Sequence, residues 1–328
     1  MKKIKKIAII GLGKHSLEQI RLITNYRKDI EINLLIDNQI SSYYRVLSKF
    51  NNKINAQFSL NTKNILSNNI DLVYISTLAD SHVEITEELI NFGYKKDIII
   101  EKPLSNSLKK AKRLFKTIKN KKWEGRILIG FYRRNNLIFR KINNFIKEGK
   151  LKSLREIKYF NPIELSMNGS HWIDISNWLN KSNIESVKSK FYWNQTPGRR
   201  GAKIIDPFCD LKINYKNDVK FHLNNFKNDQ GNLLELYFQN SKVTVNYSEE
   251  KAEISFFDDG STLKIEGSKE KSFINFLNSI ENNDPDLALI KSGIDVLEVI
   301  TAAHISNRSG KIFKFPVKIS DNIDLDVA

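Results

Sequence analysis

Four short apolar runs constrain what this chain can build. Ile7–Ile10, Ile32–Ile36, Leu72–Ser76 and Ile98–Ile100 are nearly continuous in apolar residues. Helical patterns lie between and after them, at Leu17–Tyr26, at Asp80–Phe92 before Gly93, and at about Leu108–Lys119. Strands without polar alternation are buried on both faces, as in parallel sheets covered by helices. The βαβαβ order predicts a doubly wound parallel sheet. Asp80 reads as the N-cap of its helix, with Val83, Ile85 and Leu89 turned inward.

The rhythm changes after Trp123. Ile127–Phe131 is one more strand and Leu137–Ile146 one more helix. Strand-like segments follow at Leu154–Phe160, Val187–Trp193, Asp210–Tyr215, Val219–Asn224, Leu233–Gln239, Lys242–Tyr247, Ala252–Phe257 and Thr262–Ile265. Gly, Asn and Asp punctuate them. This predicts a large, open, mostly antiparallel sheet with helices on one face. The expected fold is therefore α/β, in two domains. Residues 1–124 form the doubly wound domain, and 125–328 an α+β domain. Helices at about Lys269–Ile280 and Leu287–Ser306 return to the core.

Composition excludes several classes. With 328 residues, 41% hydrophobic and 27% charged, the chain suits a soluble globular protein. Cys209 is the single cysteine, so no intrachain disulfide forms, and it reads as a small buried filler rather than a nucleophile. The net charge of +16 raises nucleic-acid binding. The lysines are scattered, however, without a basic block. The excess reads as composition, or as a field that draws in an anionic small substrate. Met1–Lys6 followed by Ile7–Gly13 mimics a signal peptide, but Gly11, Gly13, Lys14 and His15 break the run, and no small-residue cleavage site follows. No apolar stretch approaches the ~20 residues of a membrane span. A cytoplasmic protein is expected, with neither nucleic acid nor membrane as partner.

Gly11-Leu12-Gly13-Lys14-His15-Ser16 stands where a phosphate-binding turn belongs. The first glycine permits the turn, the second lets the backbone approach a pyrophosphate, and the next helix offers its free N–H groups. Ser16 replaces the third glycine of the usual fingerprint. Asp37 ends the next strand about 24 residues past Gly13, near the spacing of a ribose-binding acid. Asn38 and Gln39 follow it rather than an arginine, which favours NAD over NADP. Thr77-Leu78-Ala79-Asp80-Ser81-His82 is a loop that would pass under the nicotinamide half of such a cofactor. His82 by itself reads as a helix-start residue with a structural hydrogen bond. Ile98–Ile100 runs into Glu101-Lys102-Pro103, which stands Lys102 over the ligand end of the sheet. A lysine held there can polarise an oxygen or exchange a proton.

With these pieces in order, the chain resembles the Gfo/Idh/MocA family, the glucose–fructose oxidoreductases, inositol dehydrogenases and their relatives. The matching residues are Gly11-Leu12-Gly13, Asp37, Ser76-Thr77 with His82, and Glu101-Lys102-Pro103. Gly130-Phe131-Tyr132-Arg133-Arg134 and Gly169-Ser170-His171-Trp172-Ile173-Asp174 also match, as does the helix ending near Ser306 before Gly310. The resemblance implies an NAD-dependent oxidoreductase acting on a sugar or sugar derivative. Lys102 would hydrogen-bond the substrate oxygen and His171 would act as general base or acid. Cofactor contacts would come from Gly11, Leu12, Gly13, Lys14, His15, Asp37, Asn38, Thr77, Leu78, His82, Glu101 and Lys102. Substrate contacts would come from Arg133, Arg134, Asn168 and Lys203, with Arg199 and Arg200 as further cations. No metal is implied, and subunits would pair as a homodimer or homotetramer.

Asn168-Gly169-Ser170 reads as a helix start with Ser170 as N-cap. His171 would then lie in the first turn, where the dipole lowers its pKa. Asp174 shares its face and either orients the ring or caps structure. One departure stands out. Many relatives carry an aspartate four residues before this histidine, and here that residue is Met167. Glu164 and Asp206 are the stand-ins to consider. A redox-neutral enzyme with tightly held NAD, and a catalytically silent NAD-binding protein, are the alternatives.

Overall fold

Branched apolar side chains favour extended backbone and pack well on a pleated surface, and the apolar runs form strands accordingly. The computed structural model describes residues 3–50, 54–192, 206–224, 232–318 and 320. Two units result, Met1–Phe131 with Phe273–Ile294 and Tyr132–Ser272 with Asp295–Ala328.

The first unit begins β1 (Lys6–Ile10), α1 (Lys14–Tyr26), β2 (Glu31–Ile36), α2 (Ile40–Lys49), β3 (Gln57–Ser59), α3 (Asn64–Ser67). It continues β4 (Leu72–Ile75), α4 (His82–Asn91), β5 (Asp97–Ile100), α5 (Leu108–Asn120), β6 (Ile127–Ile129). The strands lie in the order β3-β2-β1-β4-β5-β6, all parallel. Growth of the sheet reverses between β1 and β4, and ligands of open α/β sheets bind at such a switch point, beyond the strands' carboxyl ends. Leu72, Val73, Ile98, Ile99 and Ile100 are 0% exposed. Each such side chain contributes about 1.5–3 kcal/mol of transfer free energy.

Two details differ from the sequence reading. The N-cap position of α4 is Ser81, whose hydroxyl donates to the Leu78 carbonyl and lies 2.8 Å from Thr77 Oγ1, while Asp80 is exposed. Ile85 is half-buried, and Thr86 and Ile90 are buried beside Val83 and Leu89. By its internal contacts the first unit runs to Phe131 and includes the late segment Phe273–Ile294.

The second unit opens with a 3-10 turn at Tyr132–Asn135. It then builds α6 (Leu137–Lys147), β7 (Leu154–Phe160), α7 (Ser170–Asn180), β8 (Ile184–Tyr192), β9 (Phe208–Tyr215), β10 (Lys220–Asn224). It continues with β11 (Leu233–Phe238), β12 (Ser241–Asn246), β13 (Lys251–Phe256) and β14 (Thr262–Glu266). α8 (Lys269–Glu281), α9 (Ile290–Ser309) and β15 (Phe313–Lys314) close the chain. The nine-stranded sheet runs β14-β13-β12-β11-β7-β10-β9-β8-β15. Its pairs are antiparallel except β7 with β10. Alternate residues such as Val243, Val245 and Ile254 are buried, and the opposite face carries charge, including Glu156, Lys158, Glu235 and Lys242. Among the described residues, no helix is long and apolar enough to cross a membrane.

Residues Phe273–Ile294 complete the first unit. Ile129 N donates to Ala288 O at 2.8 Å, and Leu128 bridges Leu289. Glu281 Oε1 accepts from Ile4 N at 2.8 Å and from Arg27 Nη2 at 3.0 Å. Glu281→Ala leaves Ile4 N without this acceptor and removes one of the Arg27 contacts. The loss should be about 2 kcal/mol, the scale of a buried hydrogen bond to a charged group. Urea unfolding with an unchanged midpoint would show that the return segment is not held there.

Candidate functional site

The turn after β1 takes its shape from Gly11, which sits at φ +87°. Its N–H donates to Ile36 O at 2.8 Å, and an added Cβ would lie 2.7 Å from Ser76 O. Gly13 has the opposite character. A Cβ there would meet nothing within 4 Å, so packing within the chain does not demand glycine. The open space lies at the start of α1, which has no side-chain cap and no acid in its first turn. Free N–H groups and a bare approach are what a pyrophosphate requires. Ser16 is 0% exposed, and its hydroxyl donates to Gly13 O at 2.8 Å.

Asp37 is tied to this turn. Its Oδ2 accepts from Leu12 N at 2.8 Å and its Oδ1 from Gln39 N at 3.0 Å. Arg45, which the sequence reading did not single out, donates to Leu12 O at 3.0 Å from α2. Leu12 is buried, so it offers backbone alone, whereas Lys14 and Asn38 are exposed.

The ends of β4 and β5 are joined through His82. The ring is 1% exposed, with Nδ1 3.0 Å from Pro103 O and Nε2 3.1 Å from Thr77 O. Burial holds its pKa below the usual value against the pull of both carbonyls. The cofactor contact expected of His82 is therefore corrected. Its ring ties the Thr77 loop to the Lys102–Pro103 turn. Thr77 is half-buried and Leu78 is 46% exposed, an apolar side chain in the open.

Glu101 is likewise internal. Its Oε1 accepts from Tyr74 OH at 2.7 Å and His15 Nε2 at 3.1 Å, and its Oε2 from Lys102 N at 3.3 Å. Burial pushes this carboxyl up, but His15, Tyr74 and Lys102 outweigh it and hold the pKa below the usual range. Lys102, half-buried, is thus held by its own backbone at the end of β5.

The second unit holds the remaining candidates. Arg134 forks onto Asp174, Nε to Oδ2 at 2.8 Å and Nη2 to Oδ1 at 2.5 Å, with both residues buried. Burial raises the Asp174 pKa although Arg134 opposes it. Arg134, expected as a substrate contact, and Asp174, expected to orient the His171 ring or cap structure, instead hold each other. Arg133 packs against Trp172 and Tyr247, with its guanidinium carbon 4.2 Å and 4.7 Å from the ring centroids.

His171 is half-buried, one residue into α7. A π-turn, Leu165–Gly169, runs directly into α7, and Ser170 is itself helical at φ −52°, ψ −36°. Ser170 is therefore not the N-cap, and a helical turn precedes His171, contrary to the expected first-turn position. Asp206 caps that turn instead. Its Oδ2 accepts from Ser166 N at 2.9 Å and Met167 N at 2.7 Å. Burial raises its pKa to about 6 against those amides. Asn168 is exposed and donates to Glu164 Oε2 at 2.9 Å. Lys203, Arg199 and Arg200 lie outside the described residues. Cys209 is buried, and burial pushes its thiol well up. Among the described residues, no group of three or more His, Cys, Asp or Glu is placed to hold a metal ion.

Asp206 gives a pH signature. Its folded pKa of about 6 exceeds the ~3.9 of an unfolded aspartate, so the folded state keeps a proton the unfolded state has lost. The stabilisation is full below the unfolded value and is lost as pH rises through about 6. Urea unfolding from pH 4 to 7 should show wild type losing up to roughly 3 kcal/mol relative to Asp206→Asn. Parallel pH profiles would contradict this.

Residues 5–124 match the Gfo/Idh/MocA profile, described as an oxidoreductase family with an NAD-binding Rossmann fold. A search of curated proteins returns no match. Among solved structures, a candidate NADPH-dependent oxidoreductase of Desulfitobacterium hafniense superposes with TM-score 0.78 at 16% identity, over 98% of this chain and 99% of that one. The super-repressor mutant of Gal80p from Saccharomyces cerevisiae gives 0.75 at 14%, over 95% and 98%. The WlbA dehydrogenase of Bordetella pertussis, in complex with NADH and UDP-GlcNAcA, gives 0.71 at 14%, over 96% and 100%. At these identities the likeness concerns the fold.

Proposed function

Because residues 5–124 match the profile of the Gfo/Idh/MocA oxidoreductases with their NAD-binding Rossmann fold, we propose that the chain transfers a hydride between NAD and a hydroxyl-bearing carbon of a sugar or sugar derivative. The observation that carries the reading is the row of strand ends bearing Gly13, Asp37 and Lys102. Gly13 leaves its approach open, Asp37 is anchored by the turn it serves, and Lys102 is fixed through Glu101.

Bound NAD supplies the hydride acceptor in oxidation and the donor in reduction. Oxidation of a secondary alcohol also releases the O–H proton. His171 takes that proton as general base and returns it in reduction. Lys102 hydrogen-bonds a substrate oxygen and stabilises its developing charge. Asp174, engaged by Arg134, supports α7 rather than relaying protons. Asp206 is engaged by the amides of Ser166 and Met167, so Met167 leaves the relay one carboxylate short. We infer a cytoplasmic protein and, from the family resemblance alone, a homodimer or homotetramer.

Met167 also favours a second reading, a protein that holds NAD without turning it over. Sugar screens separate the two by NADH formation, and a redox-neutral enzyme would transform its sugar with no net NADH. Lys102→Ala should lower NADH formation by roughly 10²–10⁴-fold while NAD still binds. Equal turnover in wild type and variant would refute the role. Asp37 should discriminate between cofactors, because a carboxylate bonds a ribose 2′-hydroxyl and repels a 2′-phosphate. Asp37→Ser should weaken NAD binding about tenfold and narrow the margin over NADP, as read by fluorescence titration. An unchanged NAD-to-NADP ratio would remove Asp37 from the ribose site.

A further inference from the structure

Two consecutive arginines open the second unit, and their charges are treated differently. Arg134 is forked onto the Asp174 carboxylate. Among the described residues Arg133 has no carboxylate partner, and its Nη1 is buried without a hydrogen-bond acceptor. Its guanidinium lies against the rings of Trp172 and Tyr247 instead. Lys269 Nζ lies 4.8 Å from the same Tyr247 ring and adds a second positive charge.

The Tyr247 hydroxyl accepts a hydrogen bond from the Arg133 guanidinium, but no neighbouring group neutralises its charge. Tyr159 stacks on Trp172 with centroids 4.5 Å apart, and its hydroxyl donates to Asn232 Oδ1 at 2.6 Å. Trp172 Nε1 is buried near the Tyr159 hydroxyl but finds no acceptor in hydrogen-bond geometry. The cluster therefore holds two buried donors in need of an acceptor. Burial also pulls the Arg133 pKa below its usual value, with Tyr247 and Tyr159 opposing.

Burying a cation without an anion is strongly unfavourable, and ring stacking compensates in part. A guanidinium packed against aromatic rings keeps its in-plane N–H groups, which match a carboxylate or phosphate in bidentate fashion. Trp172 directly follows His171, so the cluster adjoins the proposed acid–base residue along α7.

We propose that Arg133 binds an anionic group, a carboxylate or a phosphate, on the substrate, so that the sugar is acidic or phosphorylated rather than neutral. This rests on the sugar-oxidoreductase reading. It assigns the anion to Arg133 and not to Arg134, whose fork is already filled.

The test uses the full chain saturated with NAD and calorimetric titration with glucose, galactose, glucuronate, galacturonate and glucose 6-phosphate. At least one anionic sugar should bind tenfold or more tighter than its neutral parent. The uronate and phosphate arms tell the two anions apart. Arg133→Gln should erase that margin. Arg133→Lys keeps the charge and loses the fork, so it should shrink the margin several-fold and serves as the test if the glutamine variant does not fold. The inference is overturned if neutral parents bind as tightly, if the margin survives in both variants, or if none of the anionic sugars binds. Binding is read without turnover. An anion margin with no NADH formed counts against the oxidoreductase reading alone, and NADH from neutral sugars with no margin counts against Arg133 alone.

Discussion

The left-handed turn at Gly11 joins three strand ends. Gly11 N reaches the last carbonyl of β2, Ser76 N reaches the last carbonyl of β1, and Leu12 N reaches the Asp37 carboxylate. A side chain at position 11 would run into the Ser76 carbonyl and push β1 from β4. That pair is also where the sheet reverses its direction of growth. The open approach at Gly13, the bare start of α1 and the placement of Asp37 all follow from this turn. The Glu101 carboxylate performs a similar task one strand over, gathering Tyr74, His15 and the Lys102 amide.

In the second unit the organising element is the buried Arg134–Asp174 fork, which fastens the first turn of the unit to α7. A buried ion pair is weak evidence of stability, because desolvation offsets much of the attraction. Its geometric demand is strict, however, and it fixes where the next residue along each element stands. On one side that neighbour is Arg133. On the other, Trp172 and Ile173 lead to Asp174, and Trp172 packs with Tyr159, Phe139 and Tyr247.

Much of the fold is legible in the sequence where a single local signal suffices. Unbroken runs such as Ile98–Ile100 announce central strands, and alternation along Lys242–Tyr247 announces a half-exposed one. α2 escapes that reading because it buries only Ser42 and Val46, too thin a stripe to register. β3 is three residues long. The site is legible to the same degree. Gly11 and Asp37 carry local spacing, whereas Asp206 caps the turn before His171 from about 40 residues away. Ser170 looks like a cap by type, yet the π-turn before it extends the helix backwards. Asp174 and Arg134 meet across 40 residues, which no periodicity encodes.

The late return of Phe273–Ile294 to the first unit has a consequence for how the protein is made. Residues to Phe131 leave the ribosome with β6 lacking the Ala288 and Leu289 contacts and Arg27 lacking Glu281. The second unit's nine-stranded sheet is almost wholly synthesised before those partners emerge. At ~5–20 residues per second, the gap lasts on the order of ten to thirty seconds. Through that interval the dinucleotide-binding half waits with one edge uncovered. The half encoded first is therefore the half finished later, and a fragment ending at Phe131 lacks part of its own core.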